Sequence, residues 1–265
     1  FLDAYSKALG NNEYYEQVLK VITLLEKKDL KAMVLAGEKW YEIDDVQDLD
    51  NAEVIFSDAK DKAHLLSKRF GGYWRYEGVS DFCYLVNPYF PTKKFINEMK
   101  YSFEVLIREY PSGADIQSLL GAKLFGCTKE QIVVGNGAGE LLDALSRELD
   151  LKLGMFIPTF EEYTSRFKNI SVKPIENKNF EYSFQDVIDH AAENEGFILI
   201  NPDNPSGNYI PFKEVEKLIA WFNENDKTLI VDESFIDFSE EGKCASILSS
   251  EFLNRSTKLI VIKSI

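Results

Sequence analysis

Short apolar runs alternate with helical patterns through the second half of the chain, and this alternation limits the possible folds more than any other feature. The segments between the runs repeat apolar residues three or four positions apart, which is the spacing of an amphipathic helix. Short apolar strands joined by helices are typical of a mostly parallel sheet with helices on both faces. We therefore predict the α/β fold class, with strands at "QIVVGNG", "GMFIP", "SVKPI", "GFILINP", "TLIVDE" and "KLIVIKS".

The acidic composition limits the partners of the chain. The formal net charge is −14 over 265 residues, which repels nucleic acid and anionic membranes, so we expect neither as a partner. No run approaches the roughly 20 apolar residues of a membrane span, and the N-terminus has no signal-peptide pattern. The three cysteines have no CxxC spacing, so they indicate neither a disulfide framework nor a zinc site. The two histidines, His64 and His190, are far apart in the sequence, and we expect both at the surface. We expect a cytoplasmic protein.

The first 60 residues have a different pattern from the rest. "KAMVLAG" and "KWYEI" predict two short strands, and "DDVQDLDNAEVIF" predicts a helix that is capped near Asp44 or Asp45. The pattern then weakens over residues 57–80, and we place a domain boundary near 58–65. We predict a small α/β remnant at 1–60 and a larger domain at 61–265. Because the chain starts without Met and stops inside a strand pattern, we expect both ends to be cut.

Polar and small residues follow the apolar runs at four places. They are 135–139 ("GNGAG"), 158–160 ("PTF"), 201–207 ("NPDNPSG") and 232–233 ("DE"). Parallel strands place their carboxyl ends at one edge of a sheet, where ligands bind in open α/β folds. We predict that the four sets line one rim.

The residue types of this predicted rim suit one kind of ligand, although each set also has a purely structural explanation. The glycine-rich turn fits either a tight turn or an anion bound at a helix N-terminus. Asp232 ends an apolar strand and needs a partner, which a helix cap or a salt bridge would also supply. Asn204 offers an amide, and Phe160 can cover an aromatic ring. Together they suit pyridoxal 5′-phosphate, whose ring nitrogen a carboxylate keeps protonated.

Six motifs in order resemble a known family. They are "DFCYLVNPYFP", "REYPSG", "VVGNGAGELL", "PTFEEY", "NPDNPSG" and "VDESFIDF". The set resembles the fold-type I pyridoxal-phosphate enzymes of aminotransferase class I/II, and most closely the branch of histidinol-phosphate aminotransferases and threonine-phosphate decarboxylases. The resemblance implies a homodimer that transfers an amino group between an amino acid and a keto partner.

The resemblance also implies contacts to the cofactor. The backbone amides of Gly137, Ala138 and Gly139 would bind the phosphate. Phe160 would stack on the ring, and Asp232 would pair with the ring nitrogen as a catalytic residue.

Three further positions carry implied roles. Asn204 would bond the ring hydroxyl and approach the carboxylate of the substrate. Tyr110 would reach the phosphate in the partner subunit's site, and Asn87 would border the substrate.

The chain departs from the family pattern at two points. Phe235 stands where the family often has a tyrosine, which keeps open a second reaction, the decarboxylation of a phosphorylated amino acid. The family's cofactor-binding lysine follows the segment that here reads "VIKSI", so we expect it to be absent from this chain and Lys263 to be a surface lysine. A chain without that lysine would be a non-catalytic fragment or binding module, which is a third alternative.

A second resemblance covers the N-terminal part. "WYEIDDVQDLDNAEVIF" is similar to the closing segment of nucleotidyltransferases that activate sugars or phosphocholine-type alcohols. It implies that Asp44 helps to hold Mg²⁺, a cation that prefers carboxylate ligands, whereas a role as helix cap is the structural alternative. The two resemblances together predict part of a bifunctional nucleotidyltransferase/aminotransferase.

Overall fold

A computed structural model describes residues 7, 14–26, 31, 33–68, 72–76, 79–80 and 87–264. The chain forms two compact units, Phe1–Asn97 and Glu98–Ile265. The predicted division between residues 60 and 61 stays a prediction. Among the described residues, no helix has the length and apolar character that crossing a membrane requires.

The regular secondary structure described in the first unit is helical. Its helices are α1 (Tyr15–Glu26), α2 (Val46–Phe56), α3 (Ala59–Ser67) and the start of α4 (Lys93–Arg108). The strands predicted at "KAMVLAG" and "KWYEI" are wrong for the described residues of those segments, which form no strand. Met33 and Val34 are more than four-fifths exposed, so these apolar residues have no sheet to pack in.

A short polar network fixes the start of α2. Asp45, and not Asp44, is the N-cap, because its carboxylate accepts the N–H of Asp48 at 2.9 Å. The Asn51 amide donates to the Tyr41 hydroxyl at 2.9 Å and accepts from the Tyr76 hydroxyl at 3.1 Å. Asn51 is buried, so its polar groups are paired as a buried amide requires.

The second unit is built on a five-stranded parallel sheet with the order β2-β1-β3-β4-β5. The strands are β1 (Leu153–Ile157), β2 (Ile170–Pro174), β3 (Gly196–Ile200), β4 (Thr228–Asp232) and β5 (Leu259–Ile262). The helices are the rest of α4, α5 (Ala114–Phe125), α6 (Ala138–Glu148), α7 (Glu161–Arg166), α8 (Phe184–Ala192), α9 (Phe212–Glu224) and α10 (Ser250–Leu253). The predicted α/β fold class is confirmed.

Alternate residues of each central strand enter two different cores. Phe197 and Leu199 of β3 pack with α8, α9 and α10, whereas Ile198 and Ile200 pack with α6 and α7. Successive side chains of a strand point to opposite faces of the sheet. Both faces of β3 are apolar because helices cover both faces of the sheet. Burial of each such side chain contributes about 1.5–3 kcal/mol. The sheet therefore has helices on both faces, as predicted.

Two further expectations are wrong. "QIVVGNG" is no strand: Lys129–Gln131 form a short 3-10 turn, and the following residues join no sheet. His190 is buried, not at the surface, because its ring packs on Phe156 and Phe197 and its Nε2 lies 2.8 Å from the carbonyl oxygen of Ser171. His64 is exposed, as expected.

Candidate active site

The carboxyl ends of the strands lie side by side at one edge of the sheet. Ile200 is in register with Asp232, and the backbone N–H of Asn201 donates to the carbonyl oxygen of Asp232 at 2.9 Å. In the same way, the N–H of Glu233 donates to the carbonyl oxygen of Ile262 at 2.7 Å. The segments that follow β3, β4 and β5 therefore start as neighbours at this edge, which we call the rim.

Asp232 is a buried carboxylate held by two donors. It is 3% exposed. The Tyr163 hydroxyl donates to its Oδ2 at 2.6 Å, and the backbone N–H of Ser234 donates to its Oδ1 at 2.8 Å. Burial, and then the negative charge of Asp232, raise the pKa of the Tyr163 hydroxyl well above its ordinary value. Tyr163 therefore stays a protonated donor, and each carboxylate oxygen keeps a lone pair for a further donor.

Tyr163 was not among the residues that the sequence analysis selected. The available signal was its place in "PTFEEY", three residues after Phe160, which puts it on the helix face one turn from that ring. Its partner, Asp232, is 69 residues away along the chain, so spacing alone could not identify the pair.

The two asparagines of "NPDNPSG" differ in their contacts. Asn201 is buried, its amide donates to the carbonyl oxygen of Ile210 at 2.9 Å, and its Oδ1 accepts the N–H of Ile210 at 2.8 Å. Asn204 is half-buried, and the part of the chain that the structure describes offers no hydrogen bond to its side chain. Asn201 therefore stabilises the loop, whereas Asn204 has an amide for a ligand.

Asp203 ties this loop to the end of β1. It is buried and accepts hydrogen bonds from the hydroxyls of Thr159 and of Ser206, the latter at 2.5 Å. Thr159 directly precedes Phe160, whose ring is 38% exposed. The loop after β3 is thus tied to Thr159, the residue before Phe160.

The N-terminus of α6 is the glycine-rich turn of the sequence. Gly137 is its N-cap with φ +82° and ψ 166°, a combination that essentially only glycine adopts. No hydrogen bond within the described part of the chain uses the N–H groups of Gly137, Ala138 or Gly139, as is usual in a first helical turn. The Glu140 carboxylate accepts the N–H of Asn136 at 2.5 Å, so one nearby amide is already occupied.

A cavity of about 280 Å³ lies between this turn and the end of β5. Its walls include Gly137 and Ala138 on one side and Ile262, Lys263 and Ser264 on the other. Lys263 is not the surface lysine that we expected, because its side chain is only 10% exposed and its Nζ lies 3.1 Å from Asp237 Oδ2. The glycine-rich turn therefore opens into the same part of the rim as the end of β5.

Glu233 points away from Asp232. Its carboxylate is buried and accepts the Ser246 hydroxyl at 2.6 Å and the N–H of Ile247 at 2.7 Å. Burial raises the pKa of the Glu233 carboxyl. Ile247 belongs to the core of α8–α10, whereas Tyr163 belongs to the core of α6 and α7, so only Asp232 faces Tyr163.

The other three predicted site residues make none of the contacts described above. Tyr110 is completely exposed. Asn87 belongs to the other unit, where its Oδ1 accepts the N–H of Tyr89 at 2.9 Å. Asp44 is exposed, and the described residues contain no group of three or more His, Cys, Asp or Glu side chains that could hold a metal. The roles of these three residues, and Mg²⁺ at Asp44, stay predictions.

The donor set of the rim fits pyridoxal 5′-phosphate. A buried carboxylate with spare lone pairs suits a protonated ring nitrogen, and the Asn204 amide suits a ring hydroxyl. Free amides at a helix N-terminus suit a phosphate, and the exposed face of Phe160 suits an aromatic ring.

Two curated relatives are similar to this chain over different lengths. The CMP-5′-(3-aminopropyl)phosphonate synthase of Streptomyces rubellomurinus is 29% identical over 268 residues, which cover 100% of this chain and 42% of that protein. The L-serine phosphate decarboxylase of Sulfurospirillum multivorans is 30% identical over 201 residues, which cover 70% of this chain and 50% of that protein. The chain thus spans half or less of the length of these relatives.

The fold is also that of a solved structure. The histidinol-phosphate aminotransferase from Clostridium acetobutylicum superposes with a TM-score of 0.54 at 24% identity, covering 65% of this chain and 51% of that one. The sequence model of the family "Aminotransferase class I and II" matches residues 115–265, which is more than half of the chain and includes the sheet, Tyr163, Asn204 and Asp232. The chain therefore belongs to the class I and II aminotransferase family.

Proposed function

We propose that this chain is part of an enzyme that uses pyridoxal 5′-phosphate to transfer an amino group between an amino acid and a keto partner. The observation that carries the proposal is Asp232, a buried carboxylate at the rim that Tyr163 and Ser234 hold with lone pairs to spare. An unliganded carboxylate in such a place costs stability, and a cationic ring nitrogen offsets that cost.

Each rim residue has a role in this proposal. Asp232 holds the proton at the ring nitrogen, since its negative charge stabilises the protonated ring. Asn204 donates its amide to the ring hydroxyl, and Phe160 covers one face of the ring and excludes water there. The amides at 137–139 bind the phosphate at the positive end of α6. When bound, the cofactor supplies an electron sink for the breaking of a bond at the substrate Cα.

Decarboxylation of a phosphorylated amino acid is the second candidate reaction. Phe235, where the resembled family often has a tyrosine, packs near Phe238 with ring centroids 6.3 Å apart and has no hydroxyl to offer to the cofactor. A relative that is 30% identical is named an L-serine phosphate decarboxylase, which supports this alternative.

We propose further that residues 1–60 are the tail of a nucleotidyltransferase domain in a bifunctional protein. The Streptomyces relative that aligns with the whole chain is named a CMP-5′-(3-aminopropyl)phosphonate synthase, which supports a nucleotide-dependent partner activity. In that domain Asp44 would contribute to Mg²⁺ binding. The second domain would act as a homodimer, in which the exposed Tyr110 reaches the partner's site.

Labelled substrate separates the two reactions. The purified full-length enzyme of which this chain is proposed to be part would be incubated with pyridoxal 5′-phosphate, 2-oxoglutarate and carboxyl-¹⁴C-labelled O-phosphoserine. Amino-group transfer yields glutamate with the label retained in the keto acid, whereas decarboxylation releases labelled CO₂. Asp232→Asn is expected to abolish either product, and Asp150→Asn, a change at an exposed residue, should leave both unchanged. Normal turnover in Asp232→Asn would reject the proposed site.

A further inference from the structure

Tyr163 is the most deeply buried group in contact with the candidate site. It is 0% exposed and packs in the core of α6 and α7, with its ring stacked on Phe167 at a centroid distance of 6.2 Å. The Tyr163 hydroxyl donates a hydrogen bond to Asp232 Oδ2 at 2.6 Å, and the packing of the ring fixes the position of this hydroxyl. A hydrogen bond of this length to a carboxylate is of the strong, charge-assisted kind.

We infer that Tyr163 is a positioning residue, which sets how strongly Asp232 holds the ring nitrogen of the bound cofactor. This inference rests on the proposed function. The Ser234 amide fixes one carboxylate oxygen and Tyr163 fixes the other, so the carboxylate plane is set by two donors from different elements. The lone pairs that remain are thereby aimed before a ligand arrives, which is preorganisation.

The attraction of the carboxylate for a cation depends on the same contact. A carboxylate that is 3% exposed is poorly solvated, so its few protein donors fix the direction in which its free lone pairs point. The tyrosine serves as such a donor because it stays protonated beside Asp232. Removal of its hydroxyl would leave one donor, a carboxylate free to turn, and a weaker attraction for a cationic ring.

The test measures a preference between two ligands. Pyridoxal 5′-phosphate and its 1-deaza analogue share the aldehyde, hydroxyl and phosphate, but the analogue has carbon in place of the ring nitrogen. Equilibrium dissociation constants for both would be measured by titration calorimetry with wild-type protein, Tyr163→Phe and Tyr182→Phe. Tyr182 is a matched control because it packs on Phe156 in the other core. We expect Tyr163→Phe to reduce the preference for the nitrogen-containing ligand about tenfold, and Tyr182→Phe to leave it unchanged.

The outcomes separate this inference from the proposed function. If the wild-type protein shows no preference, the assignment of Asp232 to a ring nitrogen fails. If the wild type shows a preference that Tyr163→Phe keeps, or if that change weakens both ligands equally, the role of Tyr163 is overturned while the proposed function stands. Should Tyr163→Phe not fold, Tyr163→p-aminophenylalanine keeps a weaker donor of the same size and is expected to show a reduced preference. An unreduced preference in that folded variant overturns the inference.

Discussion

Replacement of Asn201 by alanine should destabilise the second unit, whereas the same change at Asn204 should not. Asn201 makes two hydrogen bonds to the backbone of Ile210, at 2.9 and 2.8 Å, and both residues are at most 3% exposed. The alanine variant leaves the buried N–H and C=O of Ile210 without partners. Each such group costs about 1–3 kcal/mol, so we expect a loss of about 2–6 kcal/mol in the free energy of unfolding. Asn204→Ala removes no hydrogen bond of the described structure and should change it by less than about 0.5 kcal/mol.

Two measurements check this pair of variants. Urea denaturation followed by circular dichroism gives the change in the free energy of unfolding, and hydrogen exchange by mass spectrometry reports the Ile210 amide directly. The Ile210 amide should exchange faster in Asn201→Ala and at the wild-type rate in Asn204→Ala, whereas affinity for pyridoxal 5′-phosphate should fall in Asn204→Ala. Equal stability of the two variants, or an unchanged Ile210 amide in Asn201→Ala, would refute the division of roles between the two asparagines.

Three other outcomes can be measured by denaturation. Gly137→Ala should lower the free energy of unfolding by about 1–3 kcal/mol because the φ of Gly137 is +82°. Gly113→Ala, at a helix N-cap with φ −68°, should lower it by less than about 1 kcal/mol. Equal losses in the two variants would contradict the conformational argument. Thr159→Val should destabilise by about 1–3 kcal/mol, because buried Asp203 loses a donor, and a neutral effect would contradict this. Burial and a hydrogen bond to a carboxylate raise the pKa of Tyr209 to about 12. The folded state therefore keeps a proton that the unfolded state releases above pH 10, and the free energy of unfolding should fall between pH 10 and 12. If the fall of this free energy with pH is not shallower in Tyr209→Phe, the argument is refuted.

The centre of the sheet was predictable from sequence because the central strands β3 and β4 are covered on both faces. In β3 and β4 every residue is buried, so each reads as a continuous apolar run of strand length. "QIVVGNG" carries the same signal and forms no strand. A strand needs a hydrogen-bonded neighbour, and apolar pattern alone does not report whether one is present.

The chemistry of the site was only partly predictable. Asp232 was recognisable because a charge at the tip of an apolar strand requires a partner. That partner, Tyr163, could not be identified, since pairing across 69 residues depends on which helix covers which strand. The different roles of Asn201 and Asn204 depend likewise on the position of Ile210, and His190 looked exposed because a polar residue in a last helical turn usually is.

The two adjacent carboxylates at the end of β4 have a consequence for how this family can vary. Asp232 faces Tyr163 in one core, and Glu233 faces Ile247 in the other. A deletion of one residue within β4 would bring Glu233 to the position that Asp232 now occupies beside Tyr163, and would turn the residues on one side of the deletion to the opposite core. We therefore expect the members of this lineage to keep the number of residues in this strand fixed, even where one apolar residue replaces another within it.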